Sequence, residues 1–121
     1  MERIAEGEYA VMEVLWSEAP LTAADVAGRV PEDRGWSLAT VKTMLSRLLA
    51  KGVLTHEQEG RRYLYRPAIL REDYIAQESG RMLDRMFGGK VTPLVAHLAE
   101  RDRLSAADIA EIEALLKALK S

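Results

Sequence analysis

The stretch from Trp36 to Gly52 most constrains what this chain can fold into. It reads W-S-L-A-T-V-K-T-M-L-S-R-L-L-A-K-G, with helix punctuation at both ends, and the periodicity of the chain changes directly after it. Ser37 is a strong N-cap, because its hydroxyl can satisfy an orphan amide of the first turn. Trp36 and Val41 are spaced as a hydrophobic staple. Gly52 after Lys51 reads as a left-handed stop with a cation at the negative helix end. Leu38, Val41, Leu45, Leu48 and Leu49 fall on one helical stripe, with Met44 beside it. The other face holds Ala39, Thr40, Lys42, Thr43, Ser46 and Arg47: short hydroxyls, long cations and no acid. Solvated faces ordinarily mix both signs, so this one is suited to approach an anion.

Beyond Gly52 come two short runs rich in β-branched and aromatic residues, Val53-Leu54-Thr55-His56-Glu57 and Arg62-Tyr63-Leu64-Tyr65-Arg66. Gln58-Glu59-Gly60-Arg61 between them reads as a hairpin turn, and Pro67 closes the second run. Upstream, a helix over residues 5–17 turns Tyr9, Met12, Leu15 and Trp16 inward and ends at Ala19-Pro20. A second helix opens at Leu21-Thr22-Ala23-Ala24-Asp25-Val26. Thr22 is its cap, Asp25 complements its positive end, and Leu21 staples to Val26. It runs to about Arg29, and a charged turn from Pro31 to Gly35 leads into the central helix. Three helices and a two-stranded hairpin, the third helix amphipathic and cationic, make a winged helix-turn-helix. The hairpin is the wing, with Arg61 and Arg62 near its tip. Tyr63 and Tyr65 alternate with Leu64 and are read as packing against the first helix.

From Arg71 the helical period returns. Tyr74, Ile75, Met82, Leu83, Met86 and Phe87 form an apolar face, and Gly88-Gly89 stops the helix. Thr92-Pro93 starts a short helix with Leu94, Val95 and Leu98 on its apolar side, since proline is tolerated in the first turn. Leu104 to Ile109 opens a last one bearing Ile109, Ile112, Leu115, Leu116 and Leu119. Isolated helices of such length are marginal in water, and pairing with a second copy of the chain is the simplest remedy. The expected organisation is therefore mainly α. Residues 1–70 form a winged-helix DNA-binding domain, and residues 71–121 form a three-helix dimerisation region. Its expected interface is Ile75, Met82, Met86, Phe87, Leu94, Leu98, Ile109, Ile112 and Leu116.

The net charge of −2 argues against nucleic acid only until its distribution is considered. Residues 1–36 carry three Lys/Arg against eight Asp/Glu, whereas residues 37–66 carry six against two. A phosphate responds to charge within a Debye length of roughly 8–10 Å, so the local excess matters more than the sum. The absence of cysteine excludes disulfides and thiolate metal sites and makes a reducing cytoplasm the natural setting. No apolar run is long enough to cross a membrane, and the opening at Glu2 lacks a basic-then-apolar leader, so secretion is not expected. His56 and His97 have no partner at ligand spacing, and no nucleophile triad or phosphate loop stands out. Neither metal, cofactor nor catalysis is expected.

On the central helix, Thr40, Thr43, Ser46 and Arg47 are the candidate base readers. Threonine methyls suit thymine, and arginine suits guanine bidentately. Lys42, Lys51, Arg61 and Arg62 are the candidate phosphate ligands, which position without specifying. A winged helix used as a protein-interaction module is the alternative, since the fold alone does not dictate DNA binding.

Several short pieces, in order and spacing, resemble the penicillinase and methicillin-resistance repressors (the BlaI/MecI family). They are Val14-Leu15-Trp16, Trp36-Ser37, Thr40-Val41-Lys42-Thr43, Arg47-Leu48, Lys51-Gly52-Val53-Leu54, Glu59-Gly60-Arg61-Arg62-Tyr63 and Asp84-Arg85-Met86-Phe87-Gly88-Gly89. The resemblance covers nearly the whole chain. It implies a homodimer on a double-stranded dyad operator that represses resistance or stress genes, often alongside a membrane sensor-protease. In such repressors induction commonly follows cleavage at an Asn-Phe bond in the second C-terminal helix. The corresponding pair here is His97-Leu98, a departure from that pattern, and any inducing cut is expected within residues 94–100. A copper-responsive branch uses C-terminal cysteine pairs, which this chain lacks.

Overall fold

The computed structural model describes residues 3–121, so the expectation drawn at Glu2 lies outside them. Among the described residues the order is α1 (Glu6–Ser17), α2 (Ala23–Arg29), a single 3₁₀ turn (Glu32–Arg34), α3 (Leu38–Ala50), β1 (Leu54–Glu59), β2 (Arg62–Pro67), α4 (Arg71–Phe87), α5 (Val91–Glu100) and α6 (Ala106–Lys120). Three helices followed by an antiparallel hairpin constitute a winged helix-turn-helix, and a helical C-terminal region follows it.

The caps explain where the helices start. Ser37 Oγ accepts the Thr40 N–H at 3.1 Å. Thr22 and Asp25 form a reciprocal box at 3.1 and 3.2 Å, and Ser105 and Asp108 repeat it at 3.0 Å each. Aspartate thus replaces the longer glutamate or glutamine of the usual box. α5 begins at Val91 with Pro93 in its first turn, and Lys90 offers no side-chain cap.

The core lies in the first compact unit, which ends at Tyr74. Val11, Met12 and Leu15 of α1, Val26 of α2, and Val41, Leu45 and Leu48 of α3 are buried together with Val53 and Leu54. Val11 is fully enclosed, although the helical pattern alone pointed to Tyr9 and Trp16, which are half-buried at the margin. Each enclosed aliphatic side chain is worth about 1.5–3 kcal/mol relative to exposure. Gly7 lets α1 approach α3 closely: a Cβ there would stand 3.1 Å from Met44 Cε and 3.4 Å from the Trp36 ring.

The wing is tighter than its sequence suggests. β1 and β2 pair from Leu54 opposite Pro67 to Glu59 opposite Arg62, which leaves only Gly60 and Arg61 in the turn. Gly60 takes a φ of +65°, the left-handed conformation that two-residue hairpins require. Leu21 and Tyr65 exchange both backbone hydrogen bonds, 2.8 and 3.2 Å, and so pin the wing to the helices. Tyr65 packs at the core edge, but Tyr63 does not reach α1. It lies two cross-strand pairs nearer the tip, is 44% exposed, and meets the His56 ring edge-on at 4.8 Å.

The two compact units part inside α4, between Tyr74 and Ile75. The first turn of α4 belongs to the first unit because three interactions hold it there. Trp16 Nε1–H donates to the Ile69 carbonyl at 2.9 Å, Arg71 pairs with Glu13 at 2.8 Å, and the Tyr74 ring lies 5.7 Å from both Tyr9 and Trp16. In the second unit, none of the described residues is buried.

Candidate nucleic-acid interface

Val41, Leu45 and Leu48 anchor α3 in the core and thereby fix which residues face outward. Ala39, Lys42, Thr43, Ser46 and Arg47 are all exposed on the side away from that stripe. From Ser37 to His56 the chain contains no acid. Among the described residues neither Lys42, Arg47 nor Arg61 makes an ion pair, so their charges are open to a ligand. Thr43 Oγ1 donates to the Ala39 carbonyl at 3.1 Å, which leaves its lone pairs to accept.

Three expectations change. Lys51 leaves the phosphate set, because its Nζ is bound to Glu8 Oε1 and to the Arg3 carbonyl, the latter at 2.8 Å. Both side chains are largely enclosed, at 17% and 5% exposure. Burial alone would raise the Glu8 carboxyl. The Lys51 ammonium, the Ala5 N–H and the more distant Arg47 outweigh it and hold Glu8 below the usual carboxylate range. Lys51 therefore ties the end of α3 to the start of α1. Thr40 is less free than its expected place on the outer face implies: it is half-buried, and its hydroxyl shares a hydrogen with Ser37 Oγ at 3.1 Å. Leu38, expected on the buried stripe, is 42% exposed at the first helical position of α3.

Between the start of α3, the start of α2 and the wing lies a groove of about 510 Å³. Leu38 and Lys42 line it from α3, and Arg61, Arg62, Tyr63 and Tyr65 from the wing. Arg62 pairs with Glu59 at 3.1 Å across i,i+3, with both side chains about 60% exposed. Such a solvated pair is worth about 0–1 kcal/mol and yields readily to a phosphate. A larger groove of about 610 Å³ runs beside α1, but it suits an anion poorly. Its carboxylates Glu6, Glu13 and Glu18 are held by Arg34, Arg71 and Arg29 respectively. Among the described residues no group of His, Asp or Glu is arranged to hold a metal ion.

The residues expected at a second interface lie on the helices of the second unit. Ile75, Met86, Ile109 and Leu116 are exposed, and Met82, Phe87, Leu94, Leu98 and Ile112 are half-buried. His97 is exposed within α5.

Comparison with known proteins agrees with this geometry. The penicillinase repressor family model matches residues 4–118. The penicillinase repressor of Bacillus licheniformis is 34% identical over 119 residues, covering 98% of this chain and 93% of its own. The solution structure of the DNA-binding domain of the repressor BlaI superposes with a TM-score of 0.53 at 36% identity, over 61% of this chain and 94% of that one. The monomeric form of Bacillus licheniformis BlaI, in complex with the blaP half-operator, superposes with a TM-score of 0.52 at 37% identity, over 60% and 89%. An α3 whose outward face is acid-free, a cationic wing and a family match along nearly the whole length lead to one conclusion: this chain belongs to the penicillinase repressor family, which comprises DNA-binding transcriptional repressors and not enzymes.

Proposed function

We propose that the chain acts as a cytoplasmic homodimer that presents one α3 to each half of a dyad operator and represses resistance or stress genes there. The observation that carries the reading is the acid-free face of α3 beside the wing arginines. Thr43, Ser46 and Arg47, with Thr40 at their edge, read base edges in the major groove. Lys42, Arg61 and Arg62 hold phosphates and set the register. The relative bound to the blaP half-operator matches this chain over about the length of the first unit, which supports the same use of that unit here.

Pairing is supported by the apolar side chains that the second unit leaves in water. Met86 is 62% exposed, Leu115 65% and Leu119 82%. Apolar surface exposed on this scale suits an interaction site, and a second copy offers the same surface in return. Relief of repression follows from the same arrangement. A cut within residues 94–100, at or near His97-Leu98, separates the apolar residues of α6 from the rest of the chain while leaving α3 intact. A membrane sensor-protease is the partner of that step; among the described residues no helix is long and apolar enough to cross a membrane.

Selection of duplexes from a random pool by the purified full chain tests the reading. A recovered sequence with twofold symmetry, bound more weakly as salt rises, is the expected result. Recovery of no sequence preference, or affinity that does not respond to salt, would overturn it. Mass spectrometry of the repressor from induced cells tests the cut, and full-length protein on an emptied operator would exclude it.

A further inference from the structure

Single exposed leucines are common on proteins; what distinguishes Leu38 is where it stands. It is the first residue of α3, 42% exposed, with Lys42 one turn on. Arg61, Arg62 and the Tyr63 ring face it across the groove. The acid in that groove, Asp25, is engaged by the Thr22 N–H at 3.2 Å and by Arg29 at 3.9 Å. The start of α3 thus ends in an apolar branch between cations. A DNA strand drawn onto those cations brings base edges to the same turn, because the first residues of such a recognition helix are the ones that meet them. In the major groove the apolar feature of a base edge is the C5-methyl of thymine.

We infer that Leu38 is a specificity-determining residue that packs on the C5-methyl of one thymine in each operator half-site. The inference rests on the DNA-reading function proposed above and adds the base that the apolar turn would select.

Replacing thymine by deoxyuridine, one position at a time in both half-sites, removes only that methyl and keeps every hydrogen-bonding edge. With the full chain, one such position is expected to weaken binding about fourfold per half-site, the worth of about one buried methyl-sized group. Leu38→Ala is expected to abolish the sensitivity at that position and no other, while Leu38→Met keeps part of it. Leu38 is exposed, so both variants are expected to melt with the parent, which circular dichroism checks. If every deoxyuridine penalty is the same in Leu38→Ala as in the parent, the inference falls and DNA reading stands. If the parent selects no sequence from a random pool, the DNA-reading function falls and takes the inference with it.

Discussion

Leu45 and Leu116 are both leucines on amphipathic helices, yet Leu45 is fully enclosed by its own chain and Leu116 is half exposed. The contrast extends to the units that contain them. In the first unit α1, α2, α3 and the wing close a core around Leu45. In the second, α4 beyond Tyr74, α5 and α6 bury none of the described residues. One unit carries its stability within the chain and can hold α3 rigid; the other leaves its apolar surface in water. On the proposed function, a rigid reader joined to such a coupler would gain affinity by pairing and lose it by unpairing.

Substitutions at those two leucines should separate the units most sharply. Leu45→Ala is expected to cost about 2–5 kcal/mol of unfolding free energy, a lost transfer term plus a cavity. Leu116→Ala should leave the first unit's melting unchanged and lower only the concentration stability of the dimer. Denaturant melts with sedimentation at several concentrations would show both. Equal losses from the two would erase the distinction.

The ion pair between Lys51 and Glu8 comes next. Lys51→Ala strands a nearly buried carboxylate, and breaking such a pair costs about 3 kcal/mol. Removing a phosphate ligand from the surface would leave the fold untouched, so a melting shift without a change in salt slope marks the structural role. The same carboxylate gives a pH signature. Glu8 and Glu13 both sit below the usual range, Glu13 through the Arg71 hydrogen bond, against burial, with help from Tyr9. Where the folded carboxyl is the stronger acid, the unfolded chain holds more protons, so stability rises with pH through that window. The first unit should therefore hold its stability at neutral pH and lose it as pH falls below about 4.3, the unfolded glutamate value. Glu8→Gln should flatten that loss in an acid titration followed by circular dichroism.

Smaller effects belong to the DNA face. Arg47→Ala is expected to cost about 1–3 kcal/mol on the selected operator and less on random duplex. Arg61→Ala should weaken both alike and reduce the salt slope by about one unit for each phosphate that is no longer neutralised. Fluorescence titrations on the two duplexes at several salt concentrations would tell them apart. If Arg47→Ala weakened every sequence equally, Arg47 would join the phosphate group.

Local signals in the sequence located α3, its caps, the wing and the outward position of Lys42, Thr43, Ser46 and Arg47, because cap chemistry and period operate within a few residues. What escaped was long-range. Lys51 finds Glu8 across 43 residues, a pairing that no local period announces. Tyr74 and Arg71 belong to the first unit through Tyr9, Trp16 and Glu13, partners that no periodicity around residue 71 announces. Leu38 misled because a helical wheel assigns faces without saying what packs over the first turn. Gly7 facing Met44 and Trp36 was legible only once α1 and α3 were in place.

One titration tests the division of labour directly: the selected dyad duplex against the full chain and against a chain ending at residue 78, which keeps Tyr74 and the ion pair of Arg71. The shortened chain should remain folded and monomeric, bind a single half-site as the full chain does, and bind the dyad about 10²–10⁴ times more weakly, the loss expected when two linked readers become independent. Undiminished affinity for the dyad, or a shortened chain that no longer recognises the half-site, would contradict the account.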